Sequence, residues 1–139
     1  MPRNLLDLAR NLEAKAKSID KVASDKAVAV VDRIINVLAW STPVDTSKAV
    51  SNWIVSIGAP NYMERAAYQP GYLGYTHAAS ATEMIAAARA MLKNKKPGEP
   101  LYITNNVDYI RKLNSGTSRQ APAGFVEAAV LIARKELRK

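Results

Sequence analysis

The chain has no cysteine and a single histidine, His77, and these two scarcities remove most catalytic and metal chemistry from consideration. Without thiols there is no disulfide framework, no thiol nucleophile and no thiolate metal site. His77 sits in no motif that would place Ser80 or Thr76 in a nucleophile elbow, so a Ser-His-acid arrangement is not expected. Asp45, Glu99 and Asp108 are scattered and form no recognisable carboxylate cage. Gly71-Tyr72-Leu73-Gly74 lacks the Lys-Ser/Thr that a phosphate-cradling loop carries. No apolar run approaches the ~18 residues of a membrane span. The start Met-Pro-Arg-Asn lacks the apolar core of a signal peptide, so the chain is expected to stay where it is made. The expectation is a protein with no catalytic residues, no cofactor, no metal and no membrane: not an enzyme.

What is present reads as a single domain over residues 1–139, with 48% apolar and 23% charged residues, in the range of a soluble globular protein. The net charge of +8 is unevenly spread. Residues 1–40 carry seven basic and five acidic groups, residues 41–92 three of each, and residues 93–139 ten basic and four acidic. A C-terminal basic excess favours polyanions without specifying one. A solvated helix end plus a Lys-rich turn accounts for it equally well.

Helical periodicity runs from residue 2 to about residue 40 through Leu5, Leu8, Leu12, Ala16, Ile19, Ala23, Ala27, Val30, Ile34 and Val37. An unbroken helix of that length would approach 55–60 Å by rise per residue, more than a domain of this size covers. Either it breaks near Ser18 or Ser24, or part of its stripe packs on another subunit. The half after Val28 is expected in the core, and the first half either between subunits or mobile. Pro43 stops the helix, and Asp45 and Thr46 are candidate caps for a following turn. From Ala49 to Gly58 the alternation of Trp53, Val55 and Ile57 predicts a strand, with Trp53 as core anchor.

Residues 59–79 lack periodicity and contain Tyr62, Tyr68, Tyr72 and Tyr75, four of the six tyrosines. A Tyr-rich loop of this length suits docking on a partner, or folding onto its own domain. Ser80 and Glu83 read as a capping box for a second helix through Met84, Ile85, Ala88, Met91 and Leu92. Lys93, Lys95 and Lys96 end that helix before the turn Pro97-Gly98-Glu99-Pro100. Leu101–Thr104 alternates as a half-buried strand. A polar loop follows in which Gly116 can take positive φ, and Pro122 can open a last helix, 122–139. That helix is apolar along Val126, Ala129, Val130, Ala133 and Leu137, widened by Phe125, Leu131 and Ile132, an arc predicting burial on more than one side. The fold class expected is α+β: a small, mainly antiparallel sheet packed against long N-terminal and C-terminal helices plus a central helix.

Three pieces in order, Ser41-Thr42-Pro43-Val44-Asp45-Thr46, then Asn52-Trp53, then Asn105-Asn106-Val107-Asp108-Tyr109 leading to Gly116-Thr117-Ser118-Arg119-Gln120-Ala121-Pro122-Ala123-Gly124, carry a family likeness. Over residues 41–130 the chain resembles the tail-completion or neck proteins of tailed bacteriophages, the group that includes minor tail protein Z-like chains. It departs from the usual pattern at Ser47, where a Gly commonly follows the Asp-Thr pair, and at Asn114, where an acidic residue is common. The resemblance implies a structural virion protein, assembled in the host bacterial cytoplasm. It would form a homo-oligomeric ring, hexamer or dodecamer, at the head–tail junction between connector and tail proteins. Tyr62, Tyr68, Tyr72 and Tyr75 would then serve subunit interfaces, together with Arg119 and Gln120. Lys93, Lys95, Lys96, Arg111 and Lys112 would face packaged DNA in the channel, without sequence specificity. A tail terminator ring capping the tail tube is the alternative within that class. The rival class is a basic nucleic-acid-binding protein, although the Ala/Val-rich last helix offers few base-reading groups.

Overall fold

The computed structural model describes residues 5–116 and 124–138. Its elements in order are α1 (Leu5–Ser41), α2 (Lys48–Ser51), β1 (Ile54–Ile57), α3 (His77–Leu92), β2 (Leu101–Thr104), α4 (Ile110–Asn114) and α5 (Phe125–Leu137). β1 and β2 form a two-stranded antiparallel sheet in which Ile54 faces Thr104 and Ile57 faces Leu101. α3 and α5 both pack on α1, and α3 also packs on β1. The class is α+β, as expected.

α1 does not break. Its 37 residues run through Ser18 and Ser24 as one helix, about 55 Å long at 1.5 Å per residue. Only its C-terminal part enters the core, through Val31, Ile35, Leu38 and Ala39, which join Val44, Val50, Trp53, Val55, Met84, Ile85, Phe125 and Ala129. The buried positions lie one residue on from the expected Val30, Ile34 and Val37, which are half-buried flanks. Two neighbouring elements packed on one helix require a wider apolar arc than a single stripe. Glu136, near the end of α5, lines a cleft with Ala29, Asp32 and Arg33. From Leu5 to Ala23 the helix therefore continues past its cover, and Leu5, Leu8, Leu12, Ile19 and Val22 are exposed.

Three further expectations are corrected. Lys48–Ser51 is a short helical turn and the strand is confined to Ile54–Ile57, with Ile54, Val55 and Ser56 all buried, so the run does not alternate. β1 is covered on both faces, which removes the constraint that creates alternation. α3 begins at His77, and Ser80 and Glu83 lie within it rather than boxing its start. On α5 only Phe125, Ala129 and Ala133 are buried, while Val130, Leu131 and Leu137 are exposed, so burial comes from one side. Pro122, Arg119 and Gln120 lie outside the described residues. Trp53 is a core anchor as expected, buried with its indole N–H donating to Thr42 Oγ1 at 2.9 Å.

Candidate assembly surface

The segment between β1 and α3 has no helix or strand, so its backbone groups need partners from elsewhere. Fully buried polar side chains supply them. Asn52 Nδ2 donates to the Arg65 carbonyl at 2.9 Å and to the Lys48 carbonyl at 2.7 Å, while its Oδ1 accepts the Arg65 N–H at 2.7 Å. Ser51 Oγ accepts the Tyr68 N–H at 3.1 Å. Ser80 Oγ accepts from the Gln69 N–H and donates to the Gln69 carbonyl, and Glu83 accepts from Gln69 Nε2 at 2.9 Å. The two residues that read as a capping box are thus spent on holding the loop.

The far side of the loop is held from β2 and its exit. Thr104 Oγ1 donates to the Asn61 carbonyl at 2.6 Å, and Asn106 Nδ2 donates to the carbonyls of Asn61 and Met63. Asn105 Nδ2 reaches the Ala49 carbonyl at 2.9 Å, tying the same segment to α2. Glu64 pairs with Lys48, and that carboxylate raises the Lys48 amine above its usual range, chiefly by the hydrogen bond between them. Asn52 and Asn106 are the loop's fasteners, while their neighbours Trp53 and Asn105 bond Thr42 and the Ala49 carbonyl instead.

The loop's last turn closes on the segment after α1. Asp45 Oδ1 accepts the Leu73 N–H at 2.7 Å, and its carbonyl accepts the Gly74 N–H at 3.0 Å. Asp45 therefore caps this turn rather than α2. Gly74 has φ +76, and a Cβ there would meet the Val44 carbonyl oxygen at 2.9 Å, so only glycine fits. Leu73 itself has φ +54, an uncommon backbone for a side chain of its size, and is exposed. Ser47, at α2's start, also has positive φ, +70, and its hydroxyl lies 2.7 Å from that of Thr76.

Tied down in this way, the loop leaves Tyr62 (77% exposed), Tyr72 (67%) and Tyr75 (76%) in water, with Met63 and Leu73 beside them in sequence. Tyr72 and Tyr75 meet edge to face with ring centroids 5.6 Å apart. Tyr68 differs from the expectation of an interface residue: it is half-buried, packs against the core and carries the Arg65 guanidinium 4.9 Å above its ring. It fastens the loop. His77 starts α3, with Nε2 2.6 Å from the Ala39 carbonyl and its ring 5.5 Å from that of Trp40.

The basic residues expected along a channel fall into two groups. Lys93, Lys95 and Lys96 follow α3, and Lys95 is held there, donating to Ser24 Oγ at 2.8 Å and to the Lys96 carbonyl at 3.1 Å. Lys93 and Lys96 are exposed. Arg111 and Lys112 are exposed on α4, whose Leu113 lines a cleft of about 400 Å³ with Tyr109 and residues 43–49. Asn114, at the end of α4, receives the start of α5: its Oδ1 accepts the Val126 N–H at 2.9 Å and its Nδ2 donates to both Glu127 oxygens. That bond holds the Glu127 carboxyl below its ordinary range. No protein-family model, curated protein or solved structure matches this chain.

Proposed function

We propose that this chain is a structural virion subunit of a tailed bacteriophage, forming a homo-oligomeric ring at the head–tail junction around the DNA channel. The observation that carries the reading is a loop with no regular structure, fastened by buried Asn52, Ser51 and Ser80, three of whose four tyrosines are nonetheless in water. Rigid aromatic side chains on a pre-ordered backbone lose little entropy on docking, which is the economy of an assembly surface. A closed ring needs two unlike surfaces that meet head to tail. The exposed Val130, Leu131 and Leu137 of α5 supply a second apolar surface, aliphatic where the loop is aromatic. The motif likeness over residues 41–130 supports a location at the head–tail junction.

The test replaces Tyr62, Tyr72 and Tyr75 together by Ser in the phage genome. Because all three rings are exposed, the purified variant is expected to keep the wild-type melting curve while particles accumulate as unjoined heads and tails. Gold-labelled wild-type chain is expected at the neck of intact particles. Absence of the chain from purified particles, or normal joining by the triple variant, would overturn the reading. Tight, steeply salt-dependent DNA binding by the free subunit would favour the nucleic-acid class instead.

A further inference from the structure

The N-terminal half of α1 is a helix without a cover, and its apolar residues are spaced for another helix. Leu5, Leu8, Leu12, Lys15, Ile19 and Val22 recur at alternating steps of three and four, the seam of a coiled coil, with Lys15 the one polar member. Ala9, Ala16 and Ala23 run along one edge of that seam, where small side chains let a neighbouring backbone approach closely. The polar side of the helix is self-satisfied by Glu13–Lys17 at 3.6 Å and Lys21–Asp25 at 3.7 Å. Leu5 is 83% and Ile19 68% exposed. A single helix of this length in water is marginal, so the segment gains most from packing.

Resting on the reading that the chain assembles with itself, we propose that this arm pairs antiparallel with the same arm of a second copy. The sequence fits that partner layer by layer. With Leu5 opposite Val22 of the second copy, Leu8 falls opposite its Ile19 and Leu12 opposite its Lys15, and the dyad repeats each layer in reverse. The overlap uses the whole arm, since each seam stops at the point where the second copy's body begins, near Ser24. A parallel pair would set Lys15 against its own copy. Antiparallel packing sets it against Leu12 of the second copy, about 4.5 Å along the axis from that copy's Lys15, so each aliphatic stem lies over a Leu12 while the two ammonium groups diverge into water. Residues 5–22 carry four basic and three acidic groups, so two arms approach without the repulsion of the basic C-terminal third. Covering the exposed part of this seam removes about 500 Å² per arm, about 1,000 Å² for the pair, the lower bound for a biological interface and the size of a weak, reversible dimer.

The absence of natural cysteine makes the test clean. Leu8→Cys and Ile19→Cys chains are prepared separately, mixed, and treated with a short bis-maleimide. The expected result is a cross-linked dimer in the mixture and little in either chain alone, because like positions lie about 16 Å apart along an antiparallel pair. Cross-linking of Leu8→Cys to itself would mean a parallel pair. Absence of any cross-link, with a native mass of one 15.1 kDa chain, would mean that the arm has no partner in solution. Docking of the arm in the groove that Val28 and Asp32 of α1 form with Arg89 and Leu92 of α3, in another copy, would give an oligomer without these cross-links. Each of those three results overturns the arm pair. None bears on whether the chain stands at the neck of a particle, which labelling decides separately. Leu12→Lys with Ile19→Lys is expected to halve the native mass of the dimer and leave the melting curve of the body unchanged at dilution.

Discussion

Ser47 carries two opposed effects in one side chain. Its φ of +70 lies where a Cβ is crowded by the backbone, at a cost of about 1–2 kcal/mol that glycine avoids. Its buried hydroxyl bonds Thr76 across 2.7 Å, which offsets much of that cost by joining α2 to the end of the Tyr loop. A glycine at this position would take the first benefit and forgo the second. Ser47→Gly is therefore expected to lie within about 0.5–1 kcal/mol of wild type in urea denaturation, while Ser47→Ala, with strain kept and bond lost, falls about 1–2 kcal/mol lower. An alanine variant as stable as the glycine variant would show that the hydroxyl contact contributes nothing. Trp53 has no such compensation: Trp53→Ala removes a buried indole and the donor to Thr42, and is expected to cost about 3–5 kcal/mol.

At the scale of elements, α5 is started from outside itself. Gly124 has φ +83 and no side chain, so the orphan N–H of Val126 is met by Asn114 instead, whose amide also binds Glu127. An acidic residue in place of Asn114 could still accept from Val126 but would face the Glu127 carboxylate. Glu127 is held below its ordinary 4.5, so its contribution is present at neutral pH and fades as pH falls through the folded value. Asn114→Asp reverses that sign. The variant is expected to be least stable relative to wild type near pH 7, with the gap largely closed at about pH 4, because each carboxylate raises the other's pKa and the pair takes up a proton as the solution is acidified. Denaturation midpoints at both pH values check this, and a gap that widens in acid would exclude the repulsion. None of this linkage was legible from spacing, because Asn114 and Val126 are joined across a loop. Long-range fastening by Asn52, Ser80 and Asn106 escaped the reading for the same reason, since polar side chains that serve distant backbone leave no periodic signal. What periodicity does encode, the long helix, the α3 stripe, the β2 strand and the Trp53 anchor, was legible, because burial on one side forces a repeat. β1 was misjudged in extent because it is buried on both.

Taken whole, the molecule is a body from Ser24 onward and a helical arm before it. Every residue of the described core, from Val31 to Ala129, belongs to the body, and Ser24 is its outermost buried position on α1. Lys95 reaches across from the end of α3 to the Ser24 hydroxyl, and Arg89 bonds Asp32 at 2.8 Å, so α1 is fixed to α3 from that turn on. The Tyr loop lies on the body and the Leu seam on the arm, so the two proposed modes of self-contact are spatially separate. Removal of residues 1–23 should then cost the body little. Ser24 would become the natural start of a shortened α1, and serine is among the better residues for that place. The proper reference is the full-length Leu12→Lys, Ile19→Lys chain, because a dimer's stability varies with its concentration. Against it, the shortened chain is expected to unfold in one cooperative urea transition with its free energy within about 1 kcal/mol, the range of changes remote from a core. Its m-value should fall only slightly, since an exposed helix adds little new surface on unfolding. A shortened chain that loses cooperative unfolding would show that the arm folds back onto the body, and would remove the uncovered seam from which pairing is argued.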